Sequence, residues 1–216
     1  MEKILIATRN HGKFAELKGV FTHGVSLEEA GLDLDVAETG KTFEENALLK
    51  AKAYSNASGL TTVADDGGME IPALGNAPGV LSRRWPGHEA TDRELVDYSL
   101  KQMRGLKGRQ REARLVTVVG FHTAKGESAV FREEIHGRVT EAPCSVHAEK
   151  IPKGYPFRTI FFLPQLGKHY CELSEKEHDS LNHRKKAALK ARHGLESLLT
   201  GNAPAPPATR PVTGFY

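Results

Sequence analysis

Apolar and polar positions alternate between short strand-like runs and longer helical stripes along most of the chain. KILIA (residues 3–7) is a compact apolar run of strand length. The polar turn TRNHGK follows, and then FAELKGVF, where Phe14, Leu17 and Phe21 recur at helical spacing. Strand character is predicted across Val25–Val36. The next helix starts at Thr42, which stands three residues before Glu45 in capping-box register, and stops at Gly59. Its apolar face carries Ala47, Leu48, Ala51 and Tyr54. TTVA (61–64) is a β-branched strand leading directly to Asp65 and Asp66. Farther on, a helix is predicted over 91–104, with Thr91 before Glu94 at cap spacing, strands over 114–123 and 128–139, and a strand end at RTIFFLP (158–164). One continuous helix is predicted from the cap at Ser174 to about Leu199. Strands alternating with helices predict an α/β fold with a mixed sheet, in which ligands meet the polar loops at strand ends.

The 216 residues, 39% hydrophobic and 26% charged, suit one large globular domain or two small lobes. No apolar stretch approaches the roughly 20 residues that cross a bilayer, so no membrane partner is expected. Thirty basic residues against 27 acids leave a net charge of +3, which gives little reason to expect nucleic acid as a partner. The basic clusters at Arg104–Arg114 and HRKKAALKARH (183–193) read as solvated helix faces. Two cysteines, Cys144 and Cys171, are too few for a disulfide framework and lack metal-ligand spacing, which places the chain in a reducing cytoplasm. The segment from Gly201 (GNAPAPPATRPVTGFY) is proline-rich and predicted to be a disordered tail.

Three polar patches could carry chemistry. TRNHGK joins a strand to a helix, where backbone amides, the helix dipole and Lys13 would attract an anion; an ordinary connecting loop has the same composition. Asp65–Asp66, followed by Gly67 and Gly68, is either an acidic turn or a pair of hard ligands suited to Mg²⁺ beside phosphates. LNHR places His183 and Arg184, both hydrogen-bond donors, near the middle of the predicted last helix.

Together these patches resemble the Ham1-type family of inosine and xanthosine triphosphate pyrophosphatases. The TxNxxK pattern appears as Thr8-Arg9-Asn10-His11-Gly12-Lys13, with Glu16 following. The ETGxTFxENAxxKA block appears as ETGKTFEENALLKA (38–51), and a third block as ADDGGMEIPALGNAPGVLSRRW. IFFLP and NHR match two further signatures. The resemblance implies an elongated two-lobed fold around a long mixed β-sheet with flanking helices (the ITPase/Maf-like kind), spanning residues 1–200. It also implies a homodimer, a Mg²⁺ requirement, and hydrolysis of a nucleoside triphosphate such as ITP, dITP or XTP to monophosphate and pyrophosphate. By position, Asp66 would be the metal-bound general base, with Glu38 and Asp65 completing the metal site. Thr8, Arg9, Asn10 and Lys13 would hold phosphates. Gly67, Tyr155, Phe157, Arg158, His178, His183 and Arg184 would line the nucleotide site.

Four positions depart from the family pattern. Gly67 replaces a serine, Asn182 replaces the serine of SHR, and His178 replaces a lysine. Arg158 replaces the aspartate of FGYDPIFF, exchanging an acceptor for a donor. These changes leave room for a different or modified nucleotide, or for a catalytically weak nucleotide-binding sensor on the same fold.

Overall fold

The computed structural model describes residues 3–145 and 154–200; the proline-rich tail lies outside them. Eight strands form one mixed sheet: β1 (Ile4–Ile6), β2 (Gly24–Val25), β3 (Thr61–Ile71), β4 (Ala77–Pro78), β5 (Glu112–His122), β6 (Ser128–Val139), β7 (Phe161–Leu163) and β8 (Lys168–His169). The order is β2-β1-β3-β5-β6-β7-β8, with β4 paired to the far part of β3. β1 runs parallel to β2 and β3, and the remaining pairs are antiparallel. Five helices flank the sheet: α1 (His11–Lys18), α2 (Phe43–Ser58), α3 (Asp92–Gln102), α4 (Glu175–Leu181) and α5 (His183–Thr200).

The caps read from the sequence are in place. The Thr42 side chain accepts from the Glu45 N–H, Gly59 ends α2 in the left-handed conformation, and Thr91 and Ser174 form capping boxes with Glu94 and Glu177. The strand face toward α2 packs Leu5 and Ala64 against Ala51 and Tyr54. Toward α5, Ile6, Val63, Val119 and Phe121 meet Ala187, Ala188, Ala191 and Leu195. The far end of the sheet has its own core, built from Met69, Ile71, Leu95, Leu115, Ile160 and Phe161.

Four expectations are corrected. Strand pairing in 25–36 stops at Val25, because only Gly24 and Val25 find partners on β1. The strand carrying Asp65 and Asp66 does not end there; β3 continues through both acids and both glycines, paired residue by residue with β5 as far as Glu70. The predicted single last helix is two, broken at Asn182 (φ −53°, ψ 96°), so His183 and Arg184 open α5 instead of sitting mid-helix. The basic cluster around 104–114 is not wholly solvated, since buried Arg111 donates to the carbonyls of Val139, Met103, Leu106 and Thr140. Cys144 and Cys171 also come together, sulfur against sulfur, although 27 residues separate them. Their Cα atoms stand 7.5 Å apart.

Candidate active site

β1 pairs with β3 only as far as Ile6 opposite Val63, and β4 joins β3 only at Glu70. Among the described residues, the intervening edge of β3 has no strand neighbour on that side. A cavity of about 380 Å³ opens over this gap, within the size range of small-ligand sites. The break exists because the chain leaves β1 at Ala7 to enter α1. Asn10 caps that helix by accepting from the Lys13 N–H, while Thr8 Oγ1 accepts from the Asn10 N–H. Thr8 and Asn10 therefore shape the loop, and Lys13 is delivered to its mouth. Arg9 also lines the cavity, but its guanidinium donates to Asp33 and the Leu34 carbonyl.

Neighbouring strand residues face opposite sides of a sheet, and this divides the acid pair. Asp65 points toward α1 and α5. It is fully buried, and its Oδ2 meets Lys13 Nζ at 3.0 Å and Arg184 Nε at 3.2 Å. Burial alone would raise its pKa, but Lys13 and Arg184 outweigh burial and hold the carboxyl well below the usual range. Arg184 is braced further by Glu16 at 3.0 Å and by the Tyr155 hydroxyl at 3.3 Å.

Asp66 points the other way, toward α2, and lines the cavity. Its Oδ1 accepts from the Gly67 N–H at 2.8 Å, while Oδ2 is buried and has no partner among the described residues. Burial pushes its pKa up, with Lys50 and Lys13 opposing and Glu38 adding to the rise. Lys50 sits between two carboxylates, 2.6 Å from Glu38 and 4.0 Å from Asp66. Their charges outweigh its own burial and raise the Lys50 pKa. The glycines after Asp66 are required by close packing: a β-carbon on Gly67 would strike the Val116 carbonyl, and one on Gly68 the Ser82 hydroxyl.

The other end of the cavity is aromatic and cationic. Tyr155, Pro156, Phe157, Arg158, His183 and Arg184 line it. The Arg158 guanidinium lies 3.9 Å from the Tyr155 ring centroid and 5.1 Å from that of Tyr170. His183 is buried, and desolvation together with Arg184 and Arg158 lowers its pKa to about 3, so it is neutral near pH 7. His178 does not line the cavity. It packs edge-on against Tyr170 at 5.5 Å, and burial lowers its pKa.

The residues named from sequence thus converge on one cavity, apart from Asp65, held behind it, and His178, behind its aromatic wall. Reading the sequence alone gave no role to Lys50, Glu16 or Tyr170. The first of these had a signal: Lys50 interrupts the buried stripe of α2 formed by Phe43, Ala47, Ala51 and Tyr54, where a lone lysine needs an acidic partner.

A mixed sheet with a gap in its strand edge, cation-braced carboxylates at the gap and an aromatic wall beyond defines a protein with a small-ligand site, charged at one end and aromatic at the other. The comparisons narrow this class. The profile of the Ham1 family matches residues 4–193. A Thermus thermophilus dITP/XTP pyrophosphatase is 38% identical over 209 residues, covering 95% of this chain and 94% of its own. A Staphylococcus aureus dITP/XTP pyrophosphatase is 32% identical, covering 94% and 98%. Among solved structures, the Staphylococcus aureus Ham1 protein superposes with a TM-score of 0.78 at 31% identity, covering 93% of this chain and all of its own. A HAM1 protein from Coxiella burnetii also gives 0.78, at 28% identity over the same shares. The chain belongs to the Ham1 family.

Proposed function

We propose that this protein is a nucleoside triphosphate pyrophosphatase acting on non-standard purine nucleotides of the ITP, dITP and XTP kind, releasing monophosphate and pyrophosphate. The observation that carries this reading is the unpartnered, buried Oδ2 of Asp66 at the floor of the cavity, with Lys13 and the amino end of α1 beside it. Overall, water adds to phosphorus, the bond between the α- and β-phosphates breaks, and pyrophosphate leaves. Asp66, with its pKa raised by burial, is suited to take the proton of the attacking water. Lys13 and the α1 amides would bind the phosphates and stabilise the leaving charge. Lys50 keeps Asp66 and Glu38 close, and Asp65 positions Lys13 and Arg184. Tyr155 and Phe157 offer faces for the base.

The cleft's charges argue for a divalent cation. Lys13, Lys50 and Arg184 are already paired with Asp65, Glu38 and Glu16, so a divalent cation would add positive charge that these side chains do not hold free for a triphosphate. Among the described residues no group of three or more ligating side chains gathers; Mg²⁺ is a cation that uses one or two carboxylates beside phosphates and water. Asp66 and Glu38 would hold it, and it would supply charge neutralisation and lower the barrier to generating hydroxide. The resemblance further suggests a cytoplasmic homodimer. No helix among the described residues is long and apolar enough to cross a membrane.

The test is pyrophosphate release from ITP, dITP, XTP and the standard triphosphates with Mg²⁺, repeated after chelation. Release from the non-standard purines that stops on chelation is expected. Tight nucleotide binding without release would replace the reading with a sensor.

A further inference from the structure

We propose that Arg158 selects the base: the cleft prefers a purine with an acceptor at both C2 and C6, as in xanthine, over one with hydrogen at C2, as in hypoxanthine. This rests on reading the cleft as the nucleotide site.

The Arg158 guanidinium is mostly buried, with its side chain 14% exposed, and it is held between Tyr155 and Tyr170. Stacking satisfies the faces of the fork and leaves its N–H edges unused. Among the described residues its one ionic neighbour is Glu16 Oε1 at 3.7 Å, beyond hydrogen-bond reach, and Glu16 is already engaged by Arg184 at 3.0 Å. Among the described residues, Arg158 makes no side-chain hydrogen bond. A fixed fork of donors therefore lines the cavity with its capacity unspent.

The groups around it repeat this bias. His183 is neutral, so its ring offers one donor beside one acceptor, and its buried Nδ1 has no partner among the described residues. Arg184 can only donate. Among the described residues the carboxylates at this end are already engaged: Glu16 is shared between Arg158 and Arg184, and Asp65 is held by Lys13 and Arg184. This end of the cavity is therefore rich in donors and poor in acceptors. A hypoxanthine ring offers one exocyclic oxygen and would leave one donor set unmet. A guanine ring would point an amino group at a donor. Xanthine presents two oxygens, and its second carbonyl makes the ring more acidic, so that it carries negative charge readily toward Arg158.

The experiment compares XTP with ITP, which share ribose and triphosphate and differ only at C2. In wild type, kcat/KM for pyrophosphate release is expected to favour XTP by about 10–100-fold, the scale of one unmet buried donor. Arg158→Gln should collapse that ratio by tenfold or more, and Arg158→Lys should retain part of it. A ratio unchanged in Arg158→Gln, with both substrates slowed alike, would assign Arg158 to packing and overturn the proposal; so would a wild-type preference for ITP. Dissociation constants of XMP and IMP, measured by calorimetry on wild type and Arg158→Gln, read the same preference without turnover. If no triphosphate is hydrolysed but XMP binds tighter in an Arg158-dependent way, the catalytic reading fails and the base selection stands. Equal affinities for XMP and IMP in wild type would overturn the base selection.

Discussion

Changing Asp65 and Asp66 to Asn, one at a time, removes the same charge from adjacent residues, and the structure requires opposite results. Asp65 is 1% exposed and neutralises Lys13 and Arg184 together. Removing one member of a buried ion pair costs about 3–5 kcal/mol; the low end, about 3 kcal/mol, applies here because Asn still accepts from Arg184 and Glu16 stays on its other side. For a chain of this size that is a fall in Tm of about 6–12 °C. The carboxyl of Asp65 is held below its ordinary range, so its stabilisation is present above the unfolded pKa and is lost as pH falls. Asp66 has the reverse sign. Its raised pKa means it favours folding below its unfolded value and loses that contribution as pH rises through the folded value. At pH 7 its buried charge therefore opposes folding, and Asp66→Asn should leave Tm unchanged or raise it. Activity should move the other way: Asp66→Asn should lose about 10²–10⁴-fold in kcat, the range for a general base. Calorimetric melting of both variants at pH 7, with pyrophosphate release in parallel, tests the assignment. A destabilised Asp66→Asn beside an unaffected Asp65→Asn would refute the division of roles across the sheet.

Three further perturbations probe other parts of the site. His183 is held neutral down to a pKa of about 3, so it stabilises the fold above its unfolded pKa and that contribution drains away as pH falls from about 6.5 toward 3; urea midpoints from pH 7 to 4.5 should drop less steeply in His183→Gln than in wild type, and parallel curves would remove the histidine from the account. Lys50→Met leaves Glu38 and Asp66 without the cation between them, so turnover should fall by more than about tenfold while the apparent Mg²⁺ requirement shifts; unchanged kinetics would show that the bridge is incidental. Gly68→Ala sets a β-carbon against Ser82 and 3.1 Å from the Gly79 carbonyl; a serine can rotate but the backbone cannot, so a loss of about 1–3 kcal/mol is expected in chemical denaturation.

The parts of this fold legible in the sequence are those set by neighbours along the chain. Caps at Thr42, Thr91 and Ser174 and the β-branched start of β3 are fixed by residues a few positions apart, and each stands where the pattern places it. The acid pair was legible as chemistry but not as structure. Its glycines have the composition of a turn, yet β5 supplies a continuous pairing partner, and backbone hydrogen bonds from 52 residues away in sequence (Asp66 opposite Val118) override the local preference. The helix break at Asn182 was hidden for the opposite reason: the residues on both sides favour helix, and the Asn182 side chain, accepting from the Lys185 N–H, caps a new helix that the apolar spacing runs through without a gap.

The site itself depends on a fact no local window contains, namely that β1 stops at Ile6 and β4 reaches β3 only at Glu70, opposite Pro78, which among the described residues leaves one stretch of β3 edge unpaired. An exposed strand edge is ordinarily a hazard because its free amides invite another strand. Here Lys13 and Lys50 approach the gap from the two sides of the sheet, each drawn by a different member of the acid pair. The two neighbouring carboxylates thus serve separate ends: Asp65 secures the cations that frame the opening, and Asp66 keeps an oxygen free within it. Successive residues on a strand face opposite sides of the sheet, so one carboxylate can be spent on Lys13 and Arg184 while its neighbour faces the cavity.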